Sequence, residues 1–195
     1  MTEKGMAHGR FQVLHLKHME YLLAAKMRCK KLYIGITHPD IQAYPGSFAA
    51  DIHGRTKRDN PLTYIERFEM IRDALLDFGV KREEFDILPF PVSQPAILKE
   101  YIPADAVHYM NICGEWDEER RQILLDLGQN VEILFQKKKE EKEITSSKLR
   151  EMIADEEEWK TYVPKTVCAY ILDHGIEQRI RQLQYVYAPP EKKNT

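Results

Sequence analysis

The sequence predicts a doubly wound α/β fold, in which five parallel strands form one sheet with helices on both faces. Three observations predict it. Short apolar runs alternate with segments of helical period. The 195 residues suit one domain with a large core, and 43% hydrophobic with 31% charged residues is typical of a globular protein. Strands separated by crossover helices pair in parallel.

The elements follow in order along the chain. The apolar runs predict strands over residues 6–9, 32–36, 85–88, 106–112 and 131–135. Between them, stripes of helical period predict helices over about 16–27, 63–79 and 116–127. Gly79 and Gly128 stand at two of the predicted helix ends, where glycine adopts the left-handed cap conformation. Beyond Phe135, a charged run precedes predicted helices over 146–155, 164–174 and 177–184.

This pattern predicts one domain over residues 1–184, helical from about residue 145, and a disordered tail over 185–195. The long connection from residue 38 to 61 is predicted to be functional or disordered. A net charge of -2 argues against a nucleic-acid or membrane partner. Scattered cysteines, no signal peptide and no long apolar run favour the cytoplasm.

A first chemical motif follows the first predicted strand, in the segment GRFQVLHLKH from Gly9 to His18. Ligands of open parallel sheets bind beyond the carboxyl ends of the strands, where helix N-termini favour anions. His15 and His18 stand three residues apart, so they share one face of the first helical turn and can grip one phosphate. Two unrelated surface histidines are the alternative.

A second motif is ITSSKLR, near the start of the first C-terminal helix. Thr145 or Ser146 can cap that helix, and Ser147 adds a third hydroxyl, so the turn offers several donors to a polyphosphate. Arg150 follows one turn later, and its guanidinium suits bidentate phosphate binding. Lysines 137–139 add positive charge upstream. A capping pair followed by an arginine is commonplace in helices, so this motif indicates phosphate binding only in combination with the first motif.

Together, the early GRFQ and histidine pair and the late TSSxxxR resemble the HxGH nucleotidyltransferase superfamily, and most closely the archaeal-type nicotinamide-nucleotide adenylyltransferases. Three further segments are similar to that family: NPLTYIER from residue 60, ICGE from residue 112, and VPKTV with GIE over 163–177. The resemblance spans most of the chain. It implies a Rossmann-like nucleotidyltransferase fold, and catalytic roles for His15, His18 and Arg150.

The resemblance also implies the rest of the site and the reaction. Nucleotide and phosphate binding are expected from a set of loop and turn residues: Gly9, Arg10, Phe11, Gln12, Lys17, Gly114, Glu115, Thr145, Ser146 and Ser147. Mg²⁺ is the expected cofactor, held by phosphates and water rather than by protein ligands. The implied reaction is AMP transfer from ATP to a small phosphorylated acceptor, with nicotinamide mononucleotide as the first expectation. Such enzymes commonly form homo-oligomers.

Two departures from the family pattern keep alternatives open. Lys17 replaces the glycine of the HxGH motif, where it either points outward or adds charge to the triphosphate site. The acidic residue and tryptophan that hold nicotinamide are missing after Leu88. Cytidylyl or adenylyl transfer to another phosphate or phosphonate is therefore a second reading. A nucleotide-binding regulator without catalysis is a third, whereas a tRNA synthetase would need a basic anticodon-binding domain.

Overall fold

Five strands form one sheet in which every pairing is parallel, in the order β3-β2-β1-β4-β5. They are β1 (Thr2–Gly9), β2 (Cys29–Thr37), β3 (Phe85–Phe90), β4 (Val107–Ile112) and β5 (Asn130–Gln136). The computed structural model describes residues 1–39, 56–136 and 144–186. Because β1 lies at the centre and the chain winds outward from it in both directions, the sheet has a topological switch point between β1 and β4.

Seven α-helices accompany the sheet within the described ranges. They are α1 (Leu16–Lys26), α2 (Tyr64–Asp77), α3 (Pro95–Leu98), α4 (Glu115–Asp126), α5 (Ser146–Ala154), α6 (Lys165–Asp173) and α7 (Ile176–Val186). Short 3₁₀ turns lie at Arg82–Glu84 and Lys160–Tyr162. None of the described helices is long and apolar enough to cross a membrane.

Alternating strand residues supply two separate cores, one on each face of the sheet. Ala7 and Ile34 face the first core, which α1, α2 and the C-terminal helices cover. Met6 and Met110 face the second core, which Leu98 of α3 and Leu124 of α4 cover. A strand buried on both faces must be apolar at nearly every position, and this holds for the buried stretches at residues 5–7 of β1 and 34–36 of β2, whereas both strands have polar, more exposed residues near their starts.

The C-terminal helices pack on the same core as α1 and α2. Trp159, Val167, Ile171 and Ile180 are buried in the first core together with residues of β2. Tyr170 of α6 donates a hydrogen bond of 2.5 Å to the Glu69 carboxylate of α2. The helices that follow residue 145 therefore share their apolar core with the sheet.

The predicted doubly wound five-stranded parallel sheet is confirmed, and so are its five strands and six of its helices. The four-residue helix α3 was not predicted, because one turn gives no readable apolar period. Helix α7 continues to Val186, two residues into the segment predicted to be a tail. Residues 187–195, most of the 38–61 connection and lysines 137–139 lie outside the described residues.

Candidate active site

The loop between β1 and α1, here called the histidine loop (residues 10–15), leaves the sheet at the switch point. β1 ends at Gly9 and α1 begins at Leu16. In open parallel sheets this position, beyond the carboxyl ends of the central strands, is where ligands bind. The loop therefore places the first predicted motif at the expected ligand-binding edge.

His15 and His18 lie against each other at the start of α1. Their rings stack with centroids 3.7 Å apart and planes 21° apart. The backbone N–H of His15 donates to Nδ1 of His18 at 3.4 Å, and the edge of Phe11 contacts His18 at a centroid distance of 5.1 Å. His15 is buried, whereas His18 is partly exposed. Two imidazoles in contact at a helix N-terminus are the arrangement expected of an anion site.

Phe11 and Gly9 shape the loop rather than lining it. Phe11 is buried and has a φ of 52°, a left-handed conformation that a bulky residue rarely adopts. A side chain at Gly9 would come within 2.9 Å of the Phe11 ring, so the close approach requires glycine. Strained backbone of this kind is concentrated at binding and catalytic sites.

Gln12 joins the histidine loop to the segment before α2. Its side-chain amide donates to the Leu62 carbonyl at 3.0 Å, and its carbonyl oxygen accepts from the Leu62 N–H at 2.9 Å. Gln12 is buried, and both ends of its amide are used in this pair. Gln12 therefore positions the loop in this structure, and its role in nucleotide or phosphate binding stays a prediction.

Arg67 of α2 holds three chain segments together through their carbonyls. Its guanidinium donates to the carbonyls of Arg10 at 3.0 Å, Thr37 at 2.8 Å and His38 at 2.9 Å. Burial and the charge of Arg10 together lower the pKa of Arg67 to about 10, so Arg67 is still a cation at neutral pH. Arg67 belongs to the NPLTYIER segment, and its side chain serves to bind carbonyls of the chain.

Glu66 is the acidic partner in the capping box of α2. Its carboxylate accepts from the Thr63 N–H and from Arg179 of α7, each at 2.8 Å. Burial alone would raise the pKa of Glu66, but these hydrogen bonds outweigh it and lower the pKa. The capping role proposed for Glu66 is thus what the structure shows.

The second motif packs directly on the histidine loop. The hydroxyl of Ser146 donates to the Val13 carbonyl at 3.2 Å, and the Arg150 guanidinium donates to the Gln12 carbonyl. Thr145 is the N-cap of α5 and accepts from the Lys148 N–H at 3.2 Å. Ser147 is exposed beside Arg150, which donates to its hydroxyl at 3.3 Å. The early and late motifs therefore meet at one place.

Arg150 is itself almost completely buried. Burial and the charge of Arg10 together lower its pKa to about 10, and Asp59, whose carboxylate lies 3.5 Å away, opposes the shift. Arg58 also acts on Arg150 electrostatically. Arg10, Arg58 and Arg150 thus gather beside the loop, with Arg67 bonded to it, and this positive charge suits a triphosphate.

Three other predicted residues lie at the margin of this group. Lys17 points along the exposed face of α1 and forms an ion pair with Glu20 at 2.9 Å, which favours the outward alternative. Gly114 precedes α4 at the end of β4, with open space where a side chain would be, and Glu115 is the exposed first residue of that helix. Among the described residues, no hydrogen bond or ion pair joins Gly114 or Glu115 to the histidine loop.

A second polar group, here called the His8 cluster (His8, Phe90, His108 and Arg120), lies on the other face of the sheet. His8 and Phe90 are at the ends of β1 and β3, His108 is the second residue of β4, and Arg120 belongs to α4. The His8 and Phe90 rings stack with centroids 4.5 Å apart and planes 10° apart. His108 is completely buried 6.4 Å from His8. Sequence reasoning missed this cluster. The available signal was a histidine inside each of two otherwise apolar strands.

The pH dependence of stability tests the environment of these histidines. Burial lowers the pKa of His108 to about 4, with Gln129 opposing the shift, and burial lowers the pKa of His8 well below its usual value. The unfolded histidines bind protons below about pH 6.5, so stability is complete above that pH and falls as the pH drops. From pH 6.5 to 5, His108 should cost about 2 kcal/mol in the urea-derived free energy of unfolding, and His8 should add a loss of the same sign.

His108→Phe supplies the control for that titration, because phenylalanine fills the same buried site and cannot bind a proton. The variant's unfolding free energy should fall less steeply between pH 6.5 and 5, by about one proton per molecule. Equal slopes for the two proteins would mean that His108 takes up its proton as easily when folded as when unfolded.

The family of the chain follows from its similarity to known proteins. A model of the family described as cytidylyltransferase-like matches residues 6–152, which run from the second half of β1 through β5 to near the end of α5. This chain belongs to the cytidylyltransferase-like family. The match includes both motifs and ends just beyond Arg150, and it confirms the predicted membership of the nucleotidyltransferase superfamily.

Relatives along the whole chain agree with this family. The phosphonoformate cytidylyltransferase of Streptomyces viridochromogenes is 36% identical over 177 residues, which are 91% of this chain and 95% of the relative. The nicotinamide-nucleotide adenylyltransferase of Saccharolobus solfataricus is 30% identical over 183 residues, 92% of this chain and 96% of the relative. The chain is thus a nucleotidyltransferase, as the two motifs predicted.

Solved structures show the same fold in distant members. A bifunctional NMN adenylyltransferase/ADP ribose pyrophosphatase from Francisella tularensis superposes with a TM-score of 0.65 at 16% identity. The superposition covers 93% of this chain and 53% of that protein, so this chain spans about half of its length. A second crystal structure of that protein, at the same TM-score, contains AMP and a manganese ion.

Proposed function

We propose that this chain transfers a nucleoside monophosphate from a Mg²⁺-bound nucleoside triphosphate to a small acceptor bearing a phosphate or phosphonate. One observation carries the assignment of the site: Ser146 and Arg150 at the start of α5 donate to the carbonyls of Val13 and Gln12 in the histidine loop. Residues more than 130 positions apart thereby surround the edge of the sheet where a triphosphate would lie.

The proposed reaction is a direct in-line substitution at the α-phosphorus. An oxygen of the acceptor's phosphoryl group forms the new bond to that phosphorus, while the bond to the bridging oxygen breaks and pyrophosphate leaves. His15 and His18 hold the phosphate oxygens on which negative charge develops. No protein nucleophile is required, because positioning and charge stabilisation supply most of the acceleration of phosphoryl-type transfers.

The arginines play a different part from the histidines. Arg67 donates to carbonyls, and Arg150 donates to the Gln12 carbonyl and the Ser147 hydroxyl. They therefore fix the shape of the loop and contribute positive charge from behind it. Thr145, Ser146 and Ser147 stand at the N-terminus of α5, and its free N–H groups are proposed to receive the β- and γ-phosphates. Arg10 is proposed to complete the phosphate site at the mouth of the loop.

Magnesium is proposed to arrive with the triphosphate, where it neutralises the charge of the phosphate oxygens. Mg²⁺ binds few protein ligands and keeps several waters, so one carboxylate beside the site is sufficient. Asp59 supplies such a carboxylate: it is partly exposed and lies 3.5 Å from Arg150. No group of three or more acidic, histidine or cysteine side chains within the described ranges could hold a metal ion by itself.

Two acceptors are supported by different observations. Nicotinamide mononucleotide, with ATP as donor and a role in NAD biosynthesis, is supported by the archaeal-type relatives and the segments that resemble them. A small phosphonate, with CTP as donor, is supported by the relative at 36% identity and by the missing nicotinamide residues after Leu88. Because the phosphonate relative has the higher identity and the residues that hold nicotinamide are missing, we favour the phosphonate as acceptor.

Pyrophosphate release from a grid of donors and acceptors tests this proposal. We expect release that requires both an NTP and an acceptor, with CTP and phosphonoformate giving the largest kcat/KM. Turnover confined to ATP and nicotinamide mononucleotide would show that the favoured acceptor is wrong. Tight NTP binding with no release for every acceptor would instead support a regulator. A reaction in which EDTA has removed the Mg²⁺ serves as the negative control.

Two further properties are proposed from the family alone. We expect a homo-oligomer, because related enzymes commonly self-associate, and a cytoplasmic location, because the substrates are nucleotides of that compartment. The oligomeric state is measured by light scattering coupled to size-exclusion chromatography.

A further inference from the structure

The His8 cluster lies beside the histidine loop but is not used by the transfer chemistry. His8 is the residue before Gly9, at the end of β1, and Phe90 ends β3. Arg120 belongs to the first half of α4, which starts immediately beyond β4. His8, Phe90 and Arg120 therefore lie toward the same carboxyl edge of the sheet as the phosphate site, on the opposite face, where an acceptor could approach the α-phosphorus.

The cluster contains buried polar atoms that the protein does not satisfy. His8 is 5% exposed, and its Nδ1 has no hydrogen-bond partner among the described residues. The Nε of Arg120 is likewise buried without a partner. A buried donor or acceptor left unpaired costs about 1–3 kcal/mol. Oxygens of a ligand that paired with both atoms would recover that cost.

Arg120 is held in a fixed position by its neighbours. Its guanidinium donates to the Asp117 carboxylate, whose other oxygen accepts from the Cys113 N–H at 2.8 Å. The ring of Trp116 lies 5.5 Å from the guanidinium carbon. Because Arg120 already binds the Asp117 carboxylate, its guanidinium suits one further group with a single negative charge better than a phosphate dianion.

The charge and shape of the cluster limit what can bind. Burial lowers the pKa of His8, and the nearby charges of Arg120 and His108 lower it further, so the His8 ring is neutral at neutral pH. Phe90 is completely buried under the His8 ring at van der Waals distance, so a third aromatic ring cannot enter between them. A small, flat oxyanion group fits these conditions.

We propose that His8 and Arg120 select an acceptor carrying a carboxylate close to its phosphoryl group, with the carboxylate bound between the His8 ring and the Arg120 guanidinium. This inference rests on the proposed function and specifies its acceptor class. The phosphoryl group of the same molecule would then face the histidine loop. Selectivity for a short carboxylate-bearing phosphonate or phosphate follows, because only a short molecule reaches both groups together.

Equilibrium binding tests the proposed carboxylate site at His8 and Arg120 without requiring turnover. Dissociation constants are measured by calorimetry for phosphonoformate and for methylphosphonate, which lacks the carboxylate, with the unreactive α,β-methylene analogue of CTP present. Loss of a charged hydrogen bond corresponds to about tenfold or more in affinity. We expect phosphonoformate to bind the wild-type protein at least about tenfold more tightly than methylphosphonate.

Variants of His8 and Arg120 test whether these two residues cause the difference in affinity between phosphonoformate and methylphosphonate. His8→Phe keeps a ring on Phe90 but has no nitrogen, and Arg120→Met removes the cation. Each should bring the affinity ratio of the two ligands close to one. His8→Gln restores a side-chain donor and should recover part of the ratio. His174→Val is the matched control, because His174 also stacks on an aromatic ring, Tyr170, at a centroid distance of 4.0 Å.

An affinity ratio that stays at the wild-type value in both His8→Phe and Arg120→Met, with circular dichroism spectra unchanged, would overturn the proposal. So would equal binding of methylphosphonate and phosphonoformate to the wild-type protein. For wild type, the NMR titration of His8 gives an independent readout: saturation with phosphonoformate should raise its pKa. Failure of the transferase proposal is seen separately, as absence of pyrophosphate release by the wild-type protein with every acceptor.

Discussion

A His18→Ala variant should release pyrophosphate at least about 100-fold more slowly than the wild-type protein, because one preorganised donor to a developing charge contributes about 10²–10³ in rate. His18 is partly exposed, and its main protein contacts are the stacked ring of His15, the edge of Phe11 and the His15 N–H. Steady-state kinetics of pyrophosphate release at saturating substrates measure the loss in kcat.

The same assay on His174→Ala controls for removal of an imidazole outside the site. That variant should keep a rate within about twofold of wild type, since surface changes away from special features are nearly neutral. A His18→Ala enzyme that works as fast as wild type would remove His18 from the proposed mechanism. His15→Ala is a poorer test, because His15 is buried at the N-cap of α1 and its loss also affects folding.

Replacement of Arg67 by methionine should lower the free energy of unfolding by about 3 kcal/mol or more, because the buried carbonyls of Arg10, Thr37 and His38 lose their donor and each such loss costs about 1–3 kcal/mol. Urea denaturation followed by circular dichroism measures the change. Activity should fall as well, because the bond from Arg67 to the Arg10 carbonyl holds the start of the histidine loop.

Arg72→Met is the matched control for Arg67, on the same helix. Arg72 forms an ion pair with its neighbour Asp73 at 2.7 Å and is about one-third exposed, so its removal should cost at most about 1 kcal/mol. Equal destabilisation by the two substitutions would show that the three carbonyl bonds of Arg67 contribute little to stability.

The fold could be predicted because its signals are local. Each strand is a short apolar run, and each long helix has a readable period, so the order of elements determined a parallel sheet. The single turn of α3 carried no such signal. The meeting of Ser146 and Arg150 with the histidine loop was anticipated from the two motifs, because parallel strands bring their carboxyl ends to one edge.

The sequence could not show which side chains of the site bind the protein backbone and which face a ligand. Gln12 and Arg67 belong to motif segments, yet their side chains bind the backbone of distant residues, which depends on tertiary contacts alone. His8 was overlooked for a related reason: a single histidine in an apolar strand is most often a packing residue. Its unpaired nitrogen and its stacking on Phe90 exist only once β1 and β3 are assembled.

The attachment of α5 to the histidine loop also has a consequence for biosynthesis. The two carbonyls that Ser146 and Arg150 engage belong to Val13 and Gln12, so the N-terminal loop acquires these two supports only after translation has passed α5. A ribosome-bound chain that already contains β1 to β5, but not yet α5, would hold the histidines on a loop that lacks these two hydrogen bonds. Turnover of nucleotide should therefore begin only when α5 has emerged from the ribosomal exit tunnel.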